Sequence, residues 1–331
     1  MSIKRREFIA LVGAAAVGWP LAASAQQREQ KRRVAVLMGG LTSGNAGGQE
    51  EAAAFEDGLQ ELGWKLGGDI ELNYRWPGAE LDSVRAAANE IAAAHPDLVL
   101  SRSTPATTAL MSSGLPTVFV LAADPMRSGF VQNLGHPGGN VTGFSNFEAS
   151  VGGKWFELLK ETAPSVSRVA LLFNPQTAPF AEGFLHSAQA AAQTLGVAVA
   201  GVPCTSPADI ESAIAAAAHE SGGGLIVIID TFLTDHRDLV VSLASRYRLP
   251  AVYGVRAFAQ NGGLMAYAAD YPDIFRRAAS YVDRILKGAH PGDLPVQEPA
   301  KFTLSVNLKA ASAIGLTVPQ SLIVRADEVI E

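Results

Sequence analysis

The chain states one pattern twice. "RRVAVLMGG" (Arg32 to Gly40) and "SRVALLFNP" (Ser167 to Pro175) each run from a basic residue through Val-Ala and an apolar stretch into a loop. After the first comes the helical stretch "QEEAAAFEDGLQELGW", with Phe55, Leu59 and Leu62 on one face. The alternating strand "DIELNYRW" follows, then the helix "LDSVRAAANEIAAAH", ended by Pro96. The strand "DLVLSRS", the short helix "TPATTALMSSG" with Thr104 as N-cap, and the strand "LPTVFVLA" complete the series. After the second come "FAEGFLHSAQAAAQTLG", "VAVAGVPC", "PADIESAIAAAAHES", "GLIVIID", another helix and "LPAVYGV", in the same order. Apolar strands alternating with helices predict parallel βαβ units with both sheet faces covered. Repetition in order predicts an α/β chain of two similar doubly wound lobes rather than one long sheet.

Length and composition agree. The 331 residues are enough for two ordinary domains, and 48% hydrophobic against 18% charged residues is a globular balance. A net charge of −6, with no basic stripe beyond the N-terminus, argues against a nucleic-acid partner. The N-terminus reads as an export leader over residues 1–25. "MSIKRREF" supplies the basic region, "IALVGAAAVGWPLAA" a short apolar stretch, and "ASA" (Ala23 to Ala25) a small-residue cleavage site. Arg5 and Arg6 resemble a twin-arginine address. The apolar stretch is short for a membrane span, so the expected product is a soluble, acidic, periplasmic protein, a monomer without stable membrane insertion. Cys204 is the single cysteine and forms no internal disulfide.

Several chemistries are disfavoured by pattern. "GGLTSGNAGG" follows a strand and precedes a helix but lacks both G-x-G-x-x-G and Gly-Lys-Ser/Thr. "DHRDL" (Asp235 to Leu239) stands without the other parts of a kinase site, and no G-x-S-x-G elbow occurs. The six histidines show no metal-ligand spacing. No cofactor, metal or catalytic residue is therefore expected.

Larger motifs carry a resemblance. "STPATTAL", "LPTVFVLAADPMRSGFV", "HPGGNVTGFS", "KWFELLKETAPSVSRVALLFNP", "FRRAASYVDRILKGAHPGDLPVQEPAKFTLSVNLKAASAIGLTVP" and "RADEVIE" follow one another. In this order the chain resembles the ABC transporter substrate-binding protein family, which includes tryptophan- and other amino-acid-binding members. The resemblance covers nearly all of residues 32–331. It implies a type I periplasmic binding protein: two Rossmann-like lobes with parallel sheets joined by a three-segment hinge, closing over a small solute. It also implies delivery of that solute to an ABC permease in the inner membrane. The crossings fall at Gly138 to Ser150, Tyr267 to Pro272 and His290 to Pro299. Lobe 1 is then 26–146 plus 270–292, and lobe 2 is 147–269 plus 293–331. An exported cofactor-dependent oxidoreductase and a ligand-sensing protein are the alternatives.

In open parallel sheets, ligands lie beyond the carboxyl ends of the strands. Residues just after the strands are therefore the candidates for the solute site. Asp124 sits where family members present a polar residue, and its carboxylate would pair with a ligand amine; a capped Asp-Pro turn accounts for it equally well. Ser103 and Thr104 open a helix, where backbone N–H groups favour a carboxylate, and Arg102 adds a charge beside them. Thr42, Ser43, Asn174, Asp230, Thr231 and Tyr253 complete a polar set, with Phe232 and Tyr267 as apolar walls.

Overall fold

The computed structural model describes residues 31–219 and 221–331. The expected leader, its arginine pair and its cleavage site lie outside the described residues.

Two sheets carry the repetition. The first is built from β1 (Arg32–Met38), β2 (Ile70–Arg75), β3 (Leu98–Arg102), β4 (Thr117–Val120) and β5 (Val141–Phe144). They lie in the order β2-β1-β3-β4-β5, all parallel. The second begins with β6 (Arg168–Phe173), β7 (Ala198–Pro203), β8 (Gly223–Val227), β9 (Ala251–Tyr253) and β10 (Met265–Ala269). Their order is β7-β6-β8-β9-β10, so both lobes use the same topology. The second sheet then adds β11 (Phe302–Asn307), antiparallel to β10, and β12 (Glu328–Ile330), parallel to β11. β3, β4 and β5 are buried along their whole lengths, because helices cover both faces of a parallel sheet.

The first lobe's helices are α1 (Ala46–Glu61), α2 (Leu81–Ala94) and α3 (Thr104–Leu110). The second lobe holds α4 (Val151–Thr162), α5 (Ala181–Gln193), α6 (Pro207–Ala218), α7 (Thr231–Asp235), α8 (Arg237–Arg246) and α9 (Arg256–Gln260). α10 (Tyr271–Leu286) then returns to the first lobe and packs along α1. A Cβ on Gly58 of α1 would sit 2.7 Å from the Arg276 carbonyl of α10, so this close approach requires glycine. Phe55 and Leu59 are buried as the helical spacing predicts, but Leu62 is exposed. The helix ends at Glu61 and the chain turns at Gly63, which takes Leu62 off the buried face.

The hinge is tighter than the sequence suggests. The stretch expected to begin the first crossing contains β5, so the chain leaves the first sheet only after Phe144. Residues 293–297, expected in the second lobe, stay on the first. Val296 N–H donates to Leu134 O and Gln297 N–H to Gly143 O, beside β5, and Leu294 joins the first lobe's core. The three crossings lie side by side: Ser145 N–H donates to Gln297 O at 2.8 Å, and Asp270 N–H to Lys301 O at 3.0 Å.

Candidate functional site

The carboxyl ends of both sheets face a cleft of about 510 Å³, including its mouth. From the first lobe come Gly40 and Leu41 after β1, Arg102 at the end of β3 with Ser103 to Pro105 beyond it, and Leu121 and Ala123 after β4. From the second come Thr177 and Phe180 after β6, Ile229 to Thr231 and Thr234 after β8, and Val255 after β9. Asn146 and Tyr271, from two of the crossings, complete the wall.

Asp230 is the central acidic group. It is 5% exposed and N-caps the short α7, with Oδ1 accepting from Leu233 N–H at 3.1 Å and from the Thr177 hydroxyl at 2.8 Å. Its Oδ2 accepts from Asn174 N–H at 2.6 Å. Burial raises its ionisation above the ordinary carboxylate range, opposed by these donors. Neutral donors hold it, and no ion pair forms with it among the described residues.

Arg102 has the opposite bonding. Its Nε donates to Glu51 at 2.6 Å and its Nη2 to the second Glu51 oxygen at 3.3 Å, while Nη1 reaches Gly39 O at 3.0 Å. Both side chains are buried, so the pair forms a neutral, rigid part of the wall.

Ser103 is strained and unpartnered. Its backbone lies at φ 83°, ψ 155°, a region otherwise used almost only by glycine. Its Oγ is buried with no hydrogen-bond partner, as is Oδ1 of Asn146. Thr104 was expected as the N-cap, but that position falls to Ser103, whose side chain makes no capping bond. The Thr104 hydroxyl instead accepts from Ala123 N–H at 3.0 Å, tying α3 to the loop after β4. Tyr271 receives Asn146 Nδ2 at 3.4 Å; burial pushes its ionisation up and keeps its hydroxyl a donor.

Arg102, Ser103, Thr104, Asp230 and Thr231 thus meet in one cleft, whereas the other expected residues stand elsewhere. Asp124 is absent from the wall; its Oδ1 accepts from Arg127 N–H at 3.1 Å, a turn cap at φ 41°. Thr42 and Ser43 are exposed beyond Leu41. Asn174 turns its side chain onto the N–H groups of Gln176 and Thr177. Tyr253 is fully buried and stacks on Phe258, and Phe232 packs on His236. Tyr267 stacks on Phe302 and receives Trp155 Nε1 on its carbonyl at 2.7 Å. Cys204 is buried, and burial pushes its thiol up to about 11. Sequence reading missed Asn146 and Tyr271 because it treated their segments as linkers, and missed Thr177, Phe180 and Thr234 because each lies beyond the first residues after a strand.

Two lobes of one topology, three adjacent crossings and a polar cleft between strand ends define a bilobal solute-binding fold. The profile of the family described as ABC transporter substrate binding protein matches residues 44–330, and the chain belongs to that family. A tyrosine-binding protein from Clostridioides difficile (strain R20291) is 23% identical over 281 residues, 83% of this chain and 80% of that one. An ABC domain from Streptococcus pneumonia, solved in complex with L-Trp, is 25% identical with a TM-score of 0.82, covering 91% of this chain and 100% of its own. A conserved domain protein from Vibrio cholerae is 26% identical with the same TM-score and coverage. Among the described residues, no helix is long and apolar enough to cross a membrane.

Proposed function

We propose that this chain is the periplasmic solute-binding component of an ABC importer, taking an amine-bearing small solute of the amino-acid class into its cleft and passing it to the permease. One observation carries the reading: Asp230 is a buried carboxylate on the cleft wall that neutral donors hold and that no cation among the described residues neutralises. A ligand ammonium supplies the missing charge in a site from which closure excludes water. The unpartnered Ser103 hydroxyl and Asn146 carbonyl, with the Tyr271 hydroxyl, add neutral hydrogen bonds for the rest of the solute. The complex of one relative with L-Trp and the tyrosine-binding name of another agree with this class.

Calorimetric titration with L-tyrosine, L-tryptophan and the other common amino acids tests the ligand class. At least one binds the parent protein, and Asp230→Asn weakens it by about thirtyfold or more, since truncating one partner of a buried charge pair costs about 2–5 kcal/mol. No binding by any of them sinks the reading. The transport role is tested by uptake of the bound amino acid in cells with and without the chain, and the location by fractionation after changing Arg5 and Arg6 to Lys.

A further inference from the structure

Among the described residues, two charged side chains line the cleft, Arg102 and Asp230. Arg102 is already answered: Glu51 takes its Nε and Nη2, and Gly39 O takes its Nη1. That buried pair carries no net charge. Asp230 accepts from the Asn174 and Leu233 N–H groups and the Thr177 hydroxyl, all neutral. With Asp230 ionised, the wall therefore presents one uncompensated negative charge and no uncompensated positive one.

The neutral groups point the same way. Oδ1 of Asn146 is buried without a partner, and a carbonyl oxygen can only accept. Thr177 and Thr234 spend their hydroxyl protons on Asp230 itself, on Oδ1 and on the backbone carbonyl. Hydroxyl donors remain on the wall, Ser103 among them, but they bring no charge.

An α-amino acid carries its carboxylate one carbon from its ammonium. With the ammonium on Asp230, that carboxylate enters beside another carboxylate and meets no free cation. Like charges brought together in a site that excludes water repel strongly, which is how a binding site rejects a wrong partner. An amine whose carboxylate is absent, or masked as an amide, keeps the attraction to Asp230 without the repulsion. An amide N–H also supplies a donor of the kind that Asn146 Oδ1 lacks.

We infer that the cleft selects a monocation over a zwitterion: its preferred solute is an amino-acid derivative whose carboxylate is absent or masked, an amine or an amide. The inference rests on the amine-binding reading of Asp230 and deepens it.

The test is titration of two series, L-tyrosine with L-tyrosinamide and tyramine, and L-tryptophan with L-tryptophanamide and tryptamine. Each is titrated near neutral pH into the parent and Asp230→Asn proteins, after melting curves establish that both are folded. In at least one series the amide and the amine bind the parent about tenfold or more tightly than the amino acid. Asp230→Asn narrows that gap, because attraction and repulsion leave together. In both series, an amino acid within tenfold of its amide or its amine overturns the inference while leaving the amine site standing. A gap that persists undiminished in folded Asp230→Asn assigns the preference to shape and overturns it as well. If Asp230→Asn does not fold, the parent titrations decide alone. Binding of none of the six overturns both readings.

Discussion

Arg127 of the first lobe donates to Glu182 of the second at 2.7 Å, an ion pair that ties the lobes together outside the hinge. Arg127 lies four residues beyond Ala123, and Glu182 two beyond Phe180, both cleft-lining residues, so the pair sits beside the mouth. Asp124 holds the turn that presents Arg127. Hinged lobes break such a contact when they part. Both side chains are well exposed, and an exposed pair contributes little and is screened by salt. Arg127→Gln and Glu182→Gln should each speed ligand release by a few-fold at low salt, with little change in association rate. Asp124→Ala should act in the same direction, and high salt should erase all three effects. Stopped-flow kinetics reads both rates; a change confined to association refutes the latch.

Asp230 should make binding and stability depend on pH in opposite senses. Its raised ionisation means that, without ligand, its contribution to stability is full at low pH and is lost as pH rises through the elevated value. A bound ammonium favours the ionised form, so affinity should fall as pH drops through that same value, above where an ordinary carboxylate titrates. Titration across pH, in buffers of different ionisation enthalpy, should show proton release on binding in that window. Asp230→Asn should abolish the release.

Ser103→Gly should separate stability from binding. The substitution relieves a glycine-type backbone conformation and removes a buried hydroxyl without a partner. Strain of this kind costs about 1–3 kcal/mol. The ligand-free variant should melt higher than the parent yet bind its solute less tightly. A lower melting temperature shows that the conformation is not strained as argued.

Glu51→Gln should be costly far beyond an ordinary surface change, because it leaves the Arg102 guanidinium charged and buried. Removing one partner of such a pair costs about 3–5 kcal/mol. Chemical denaturation measures it, and the double variant Glu51→Gln, Arg102→Leu should recover much of the loss.

The two-lobe α/β plan was legible because strand and helix periods repeat in order, and residues just after strands did supply Arg102, Ser103, Thr104, Asp230 and Thr231 to the cleft. Sequence could not rank the two acids. Asp124 and Asp230 both follow a buried strand and both accept an N–H three residues on, but Asp230 is also held inward by Asn174 and Thr177 from the loop after β6. That choice depends on contacts more than fifty residues apart in the chain. The hinge residues were hidden for a similar reason: Gly and Pro marked the crossings, but only the packing of one crossing against another turns Asn146 and Tyr271 into cleft wall.

The triple passage of the chain has a consequence for the order in which the molecule is made. α1 leaves the ribosome early, yet the helix that covers it, α10, begins at Tyr271, and the segment that seals the edge of β5 ends at Gln297. An amino-terminal fragment ending at Ser150 would carry all five strands of the first sheet and still lack both covers, with the Gly58 side of α1 open to water. The second lobe, lying between those parts in the chain, has its first five strands synthesised before the first lobe can close. Nascent chains shorter than about three hundred residues are therefore the forms most open to proteases and to self-association.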